Sequence, residues 1–198
     1  MTIQKRLIDI ILASFLLIVL APVILTICIS IMIFDGFPIF YVSKRSKSIN
    51  HTFNIIKFRT MTPDKNDYGA SGGHKLSRVT KVGKFLRKTR LDEIPQLINI
   101  ILSDMTFVGP RPPLKRYVDR FPEIYSEVLK SRPGVTGLAS IYFHKHEEKI
   151  LAQCASPEEN ELAYEKRCIP RKAKLDLLYQ SRQTICFDIL LMVKTIFR

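Results

Sequence analysis

The sequence has no tryptophan, and its aromatic residues do not interleave with its basic clusters. It therefore lacks the stacking platform by which single-stranded nucleic acid is held. Acidic residues are scarce: 18 Asp and Glu stand against 31 Lys and Arg, a formal net charge of +13. Such an excess points to a polyanionic partner, whether nucleic acid, an anionic membrane surface or a phosphorylated substrate. Cysteine is sparse as well. Cys28, Cys154, Cys168 and Cys186 lie far apart with no C-x-x-C, which excludes a disulfide framework and a zinc site and fits a reducing compartment. His144-x-His146 has no further Cys or His beside it and reads as solvated surface. The chain has no internal repeat and no low-complexity segment, and its 198 residues suffice for one domain with a real core.

What is abundant is apolar sequence near the start. No charge interrupts the run from Ile10 to Phe34. A straight helix of that length rises ~1.5 Å per residue and would cross a bilayer core of ~30 Å. The run is too long for a signal peptide and no A-x-A pattern follows it. Pro22 falls in its middle, where a proline removes a hydrogen bond and kinks the axis. Both flanks are basic: Lys5 and Arg6 before, Lys44, Arg45 and Lys47 after. Positive flanks prefer the cytoplasmic side, so a segment that dips into one leaflet and returns competes with a spanning helix. On physical grounds alone the spanning helix is favoured, because kinked spanning helices are common.

After Asp35-Gly36 the composition becomes mixed. Residues 52-TFNIIKFRTM-61 predict a strand with Phe53, Ile55, Lys57 and Arg59 on one face. The Gly-, Asp- and Asn-rich stretch 62–75 predicts a loop long enough to serve as a cover. A basic helix follows over roughly 78–89, carrying Lys81, Lys84, Arg87 and Lys88, then a helix with one apolar side through Leu97–Leu102. Five residues, Pro110, Pro112, Pro113, Pro133 and Gly137, make the middle irregular. Residues 157–167 predict a polar helix, and the stretch from Leu175 to Phe197 an amphipathic one, suited to a core or a membrane surface.

The chemistry concentrates in 90-RLDEIPQLINIILSDMTFVGPRP-112. Pro95 suits the first turn of a helix, which sets Asp92 and Glu93 at its N-terminus. Unsatisfied N–H groups there, and the cations nearby, favour ionised carboxylates. An ionised aspartate can attack phosphorus, and a neighbouring acid can handle a proton or help hold Mg²⁺. By itself, an adjacent Asp-Glu pair reads more simply as helix-start acids neutralised by Arg and Lys. Arg111, however, is held between Pro110 and Pro112, two residues of fixed φ, and a guanidinium so presented suits bidentate phosphate binding. Lys57, Arg59 and Arg87 would complete a cationic pocket, and Arg132-Pro133-Gly134 repeats the device of an arginine before a rigid turn.

In this order, the proline-centred apolar segment, KFRTM (57–61), VGKFLRKTRLDEIPQL (82–97), SDMTFVGPRP (103–112), RPGVTG (132–137) and the Asp176, Tyr179 and Asp188 pattern resemble the monotopic phosphoglycosyl transferases, also called the bacterial sugar transferase family. The match spans nearly the whole chain, about the size of the family's minimal catalytic form. The resemblance implies an α+β fold, mostly helical with a small sheet. Residues 1–34 would form a re-entrant membrane helix–break–helix, broken at Pro22, and residues 35–198 a catalytic domain at the cytoplasmic face of the bacterial inner membrane, with amphipathic helices lying on the surface. It implies transfer of a sugar-1-phosphate from a UDP-sugar to undecaprenyl phosphate, releasing UMP and starting a bacterial glycan. Asp92 would be the nucleophile that carries the phosphosugar and lies beside Mg²⁺. Glu93 would assist proton removal. Lys57, Arg59, Arg87, Arg111 and Arg132 would bind phosphate or nucleotide. Membrane lipids are the further partner, no nucleic acid is expected, and a homodimer stays open.

Two departures from the family pattern matter. Its usual Ser-Pro break is Ala21-Pro22 here, without the hydroxyl that could satisfy a freed carbonyl. After Gly137 the chain reads 138-LASIYFHKHEE-148 in place of Trp-Ala-Gln and an Asn-Gly-Arg turn. That stretch is expected to border the sugar or nucleotide pocket, with His144 or Lys145 standing in for the missing arginine. A membrane-anchored adaptor for nucleic acid would account for the charge, but not for paired acids beside a fixed arginine. A polytopic lipid-phosphate transferase would need further apolar spans.

Overall fold

Thr2 opens the first helix by accepting the Lys5 amide proton on its hydroxyl, the standard way of satisfying an orphan N–H at a helix start. The computed structural model describes residues 2–62 and 78–197. Beyond Thr62, the expected cover loop falls outside the described residues. Helix α1 (Ile3–Val19) and helix α2 (Ala21–Phe34) meet at Leu20 with a bend of 60°. Pro22 stands in the first turn of α2. A proline there loses no intrahelical bond, so it begins the second helix and does not interrupt the first. Among the described residues no single helix is long and apolar enough to cross a membrane. Only α1 and α2 taken together meet that measure.

The chain then forms an antiparallel hairpin, β1 (Phe40–Ser46) with β2 (Thr52–Phe58). Helix α3 (Lys81–Thr89), a single 3₁₀ turn (Leu91–Glu93) and helix α4 (Gln96–Ile101) follow. A second sheet pairs β3 (Thr106–Val108) in parallel with β4 (Gly134–Thr136); α5 (Lys115–Arg120) and α6 (Pro122–Val128) lie between them in sequence. Helices α7 (Leu138–Tyr142), α8 (His144–Ala152) and α9 (Pro157–Ala163) lead through a π-helical turn (Tyr164–Cys168) into α10 (Ile169–Ser181) and α11 (Ile185–Ile196). Among the described residues the protein is thus mostly helical with two small sheets. The expected single C-terminal helix is two, because Thr184 takes the Phe187 amide proton on its hydroxyl and starts a new one.

The anchor-like helices belong to the core. Ala13 of α1 packs with Phe53, Ile55, Leu97, Ile100 and Met105, while Ile27 and Ile31 of α2 pack with Phe58 and Leu86. The expected β2 face therefore changes role along its length: Phe53 and Ile55 are core, Lys57 and Arg59 line a cavity. Large apolar side chains left exposed are frequent on α1 (Leu7, Ile11, Phe15, Ile18), on α2 (Leu25, Ile33), around β1 (Phe37, Phe40, Val42) and on α11 (Ile189, Leu190, Val193). Exposed apolar surface on this scale marks an interaction face.

The GPRP and RPGVTG glycines have a steric cause. Gly109 and Gly137 pack backbone to backbone, and a Cβ on Gly137 would meet the Gly109 carbonyl oxygen at 2.1 Å. The Gly109 N–H donates to Thr136 O and the Gly134 N–H to Pro110 O, each at 2.9 Å. The short parallel sheet thus fixes the backbone from which Arg111 projects.

Candidate active site

Four local devices assemble the site. Arg90 takes the left-handed conformation (φ 61°), ending α3 and turning the chain into the 3₁₀ turn that holds Asp92 and Glu93. Pro95 then caps α4, as its fixed φ suits. Asn99 of α4, buried, accepts the Ile56 amide proton (3.0 Å) and donates to Asn54 O (2.8 Å), tying the Asp-Glu turn to the strand that carries Lys57. The β3–β4 pair brings in Arg111.

These elements wall a cavity of about 790 Å³, within the range that encloses small-molecule ligands. Lys57, Arg59, Arg87, Asp92 and Arg111 line it. Glu93 is tucked behind, its side chain 11% accessible. One of its oxygens, Oε1, takes both Lys57 Nζ (2.6 Å) and Arg111 Nη2 (2.8 Å). Arg111 and Lys57 overcome the burial of Glu93 and hold its carboxyl well below the usual range. Glu93 is thus committed to an ion-paired position between Lys57 and Arg111.

Asp92 is the reverse. It opens on the cavity and, among the described residues, makes no hydrogen bond or ion pair. Burial and then the neighbouring Glu93 push its pKa up, against the pull of Lys57, Arg111 and Arg87. The expectation that nearby cations favour ionisation holds for Glu93; at Asp92 desolvation wins. A carboxylate without hydrogen-bond partners is a stronger nucleophile than a solvated one.

The remaining expected residues separate. Arg87 donates from Nε to Thr60 Oγ1 at 2.9 Å and lines the cavity. Arg59 gives Nη2 to the carbonyls of Asp35 and Gly36, both at 2.6 Å, and so ties down the end of α2. Arg132 is not brought to the cavity; it sits near Arg6, Asp9 and Asp104. In the divergent 138–148 stretch the cavity-lining residue is Glu147, not His144 or Lys145. Among the described residues no three Asp, Glu, His or Cys side chains cluster as a metal nest.

Arg45 is the cation that sequence reasoning missed as a site residue. It lines the cavity between Arg111 on one side and Tyr117 and Tyr164 on the other, with Nε buried and without a partner. Burial first, then the Arg111 charge, lowers its pKa. The available signal was its place in β1, opposite Phe53, in a segment whose period-two pattern is hidden by its mixed composition.

The whole chain, residues 1–198, matches the family model for bacterial sugar transferase. It is 32% identical to UDP-glucose:undecaprenyl-phosphate glucose-1-phosphate transferase of Klebsiella pneumoniae, over 98% of this chain and 39% of that protein. It is 29% identical to UDP-N-acetylgalactosamine-undecaprenyl-phosphate N-acetylgalactosaminephosphotransferase of Aeromonas hydrophila, over 97% of this chain and 42% of that protein. With exopolysaccharide production protein ExoY of Sinorhizobium fredii it shares 37% identity over 70% of this chain and 69% of that one. The chain thus spans about two-fifths of the length of the first two relatives. With its glycine-locked arginine, its Asp-Glu turn and a family match over its full length, the chain belongs to the bacterial sugar transferase family.

Proposed function

We propose that the chain is a phosphoglycosyl transferase that moves a sugar-1-phosphate from a UDP-sugar to undecaprenyl phosphate in two displacements at Asp92. In the first, an Asp92 carboxylate oxygen attacks the sugar-bearing phosphorus. The bond from that phosphorus to the bridging oxygen breaks, and UMP leaves with the electron pair. In the second, a phosphate oxygen of undecaprenyl phosphate attacks the same phosphorus and the aspartyl bond breaks, restoring the carboxylate. The observation that carries the reading is the contrast within one turn: Glu93 is committed to Lys57 and Arg111, while Asp92 faces the cavity without a partner. Arg111, Lys57 and Arg87 would then offset phosphate charge as it shifts onto the leaving oxygen. Mg²⁺ fits this donor set, because it is often held by one or two carboxylates plus substrate phosphates. Asp92 would hold it with diphosphate oxygens, and when bound it would neutralise diphosphate charge. The relatives are named for glucose and for N-acetylgalactosamine, so the sugar belongs to a wider hexose class.

The exposed apolar side chains of α1, α2, β1 and α11 support a monotopic protein at the cytoplasmic face of the inner membrane, with α1 and α2 entering one leaflet and returning at the 60° bend. Anionic lipid headgroups would then account for the net charge.

The test is UMP release from protein in nanodiscs given Mg²⁺, undecaprenyl phosphate and a panel of UDP-sugars. Asp92→Asn should abolish turnover, and intact-protein mass spectrometry of the wild type should show a phosphosugar adduct. Equal turnover by the two proteins sinks the proposal. For topology, cysteines placed at the exposed positions Thr2 and Asn50 in a cysteine-free background should label from the same side of a vesicle.

A further inference from the structure

The cavity is longer than the reacting centre needs. Beyond Arg111 and Arg45 it continues between α6 and α10, where Tyr125, Tyr164 and Asp176 line it. Two polar groups there are unexplained by the fold. Asp176 is 8% exposed and Tyr125 8% exposed, and among the described residues neither makes a hydrogen bond or ion pair. Lys172, one turn before Asp176, turns instead to both Glu147 oxygens at 3.1 Å. Both side chains are mostly buried, yet their polar atoms are not sealed off from the cavity they line, so a ligand there is the partner open to them. Burial alone pushes the Asp176 carboxyl up to about 7, with Lys172 pulling the other way.

We propose that this α6–α10 end is the nucleoside subsite, with Asp176 accepting hydrogen bonds from the donors of a uridine and Tyr125 completing them beside the wall made by Tyr164. The inference rests on the UDP-sugar reading above. Two arguments select the nucleoside. An in-line displacement puts the leaving group opposite the nucleophile, so the nucleotide lies on the side of the phosphorus away from Asp92. The cations Arg111 and Arg45 come first along that path, where its remaining phosphate must sit, and Asp176 comes beyond them. The sugar is attached to the attacked phosphorus itself and stays beside Asp92. A polyprenyl chain is the other apolar candidate, but hydrocarbon would leave Asp176 unsatisfied.

The test measures binding of UMP and of pyrophosphate to the full chain in nanodiscs by calorimetry, for wild type, Asp176→Ala and Tyr125→Phe. UMP affinity should fall about tenfold or more in Asp176→Ala and severalfold in Tyr125→Phe, because each loses a hydrogen bond made in a buried site. Pyrophosphate, which needs only the cations, should bind all three alike, and this also reports that the variants are folded. The preference between UDP-glucose and UDP-N-acetylgalactosamine should stay as in the wild type. UMP binding insensitive to both substitutions overturns the subsite. So does a change in sugar preference at constant UMP affinity, which would give this end to the sugar. Wild-type protein that binds pyrophosphate but no uridine nucleotide refutes the subsite together with the UDP-sugar reading.

Discussion

Lys5 offers the sharpest test of how the N-terminal helix is joined to the rest. Its ammonium is buried, with 7% of the side chain accessible, and pairs with Asp188 of α11, at 8%. The same nitrogen lies 3.1 Å from Val108 O and 3.1 Å from the Tyr179 hydroxyl. All three ammonium protons therefore have an acceptor. Tyr179 in turn approaches Asp188 Oδ1 at 2.6 Å and Val108 O at 2.9 Å, and its single proton can serve one of them at a time. Lys5→Met keeps an unbranched side chain one atom shorter and removes the charge. It leaves Asp188 buried without a counter-ion, and breaking a buried pair in this way costs about 3–5 kcal/mol. For a chain of this length that corresponds to a fall of roughly 10 °C in melting temperature. The double variant Lys5→Met/Asp188→Leu removes both charges and should recover most of the loss. Because the protein has no tryptophan, the melt is best followed by far-UV circular dichroism in one detergent for all variants. A single variant within about 2 °C of wild type, or a double variant no better than the single, would refute the reasoning.

Three further outcomes are expected. If Glu93 positions Lys57 and Arg111, the activity losses of Glu93→Gln and Lys57→Met should be strongly non-additive, with a coupling of about 1–3 kcal/mol in a double-mutant cycle; additive losses would return Glu93 to an independent role. Gly137→Ala should unfold or severely destabilise the protein, since its Cβ would press on the Gly109 carbonyl at 2.1 Å, and an unchanged melt would deny that contact. For Asp176 the folded state raises the pKa from 3.8 to about 7. The folded protein then holds this proton more tightly than the unfolded chain. The stabilisation is complete below about pH 4 and is lost as pH rises to about 7, a span of about 4 kcal/mol at most by linkage. Melting temperature should therefore drop between about pH 4 and about pH 7, and Asp176→Asn should flatten that slope; a slope identical to wild type would count against it.

What the sequence made legible was local. Pro95, Asp92 and Glu93 announce a helix start, and a turn and helix stand there. The alternation in 52–58 announces a strand, and its face carries Lys57 to the cavity. Pro22 announces a break, and the bend falls at Leu20, one turn-start earlier, because proline is more comfortable in the first turn of a new helix than inside an old one. What was hidden depends on pairings between distant residues. Nothing near Lys5 signals a partner 183 positions away. Glu93 looks like a free acid until Lys57 and Arg111 arrive from two other elements. Arg132 shares its local motif with Arg111, yet the fold sets it near Arg6, Asp9 and Asp104, away from the cavity. Strands of three residues, such as β3 and β4, are too short for any periodicity to show.

Helices α1 and α2, which the sequence expectation set apart as residues 1–34, share their cores with elements beyond residue 34. Ala13 and Ile31 are fully buried, and they pack on β2, α3 and α4, the elements that hold Lys57, Arg87 and the Asp-Glu turn. Arg6 reaches the far end of α4, donating to Ile100 O at 2.7 Å and Ile101 O at 3.0 Å, where a cation also complements the helix dipole. Helix α4 is thus held at its start by the turn bearing Asp92 and at its end by α1. Removing residues 1–34 would open cavities at Ala13 and Ile31 and strip α4 of its cap, so a soluble catalytic remainder should not fold well. This rigidity suits the proposed reaction. A flexible tether would spread the site over many depths and dilute it relative to a lipid phosphate. In the proposed monotopic arrangement, an anchor packed into the catalytic core would set the depth of Asp92 by how deeply α1 and α2 insert, to match the one depth at which the lipid phosphate lies.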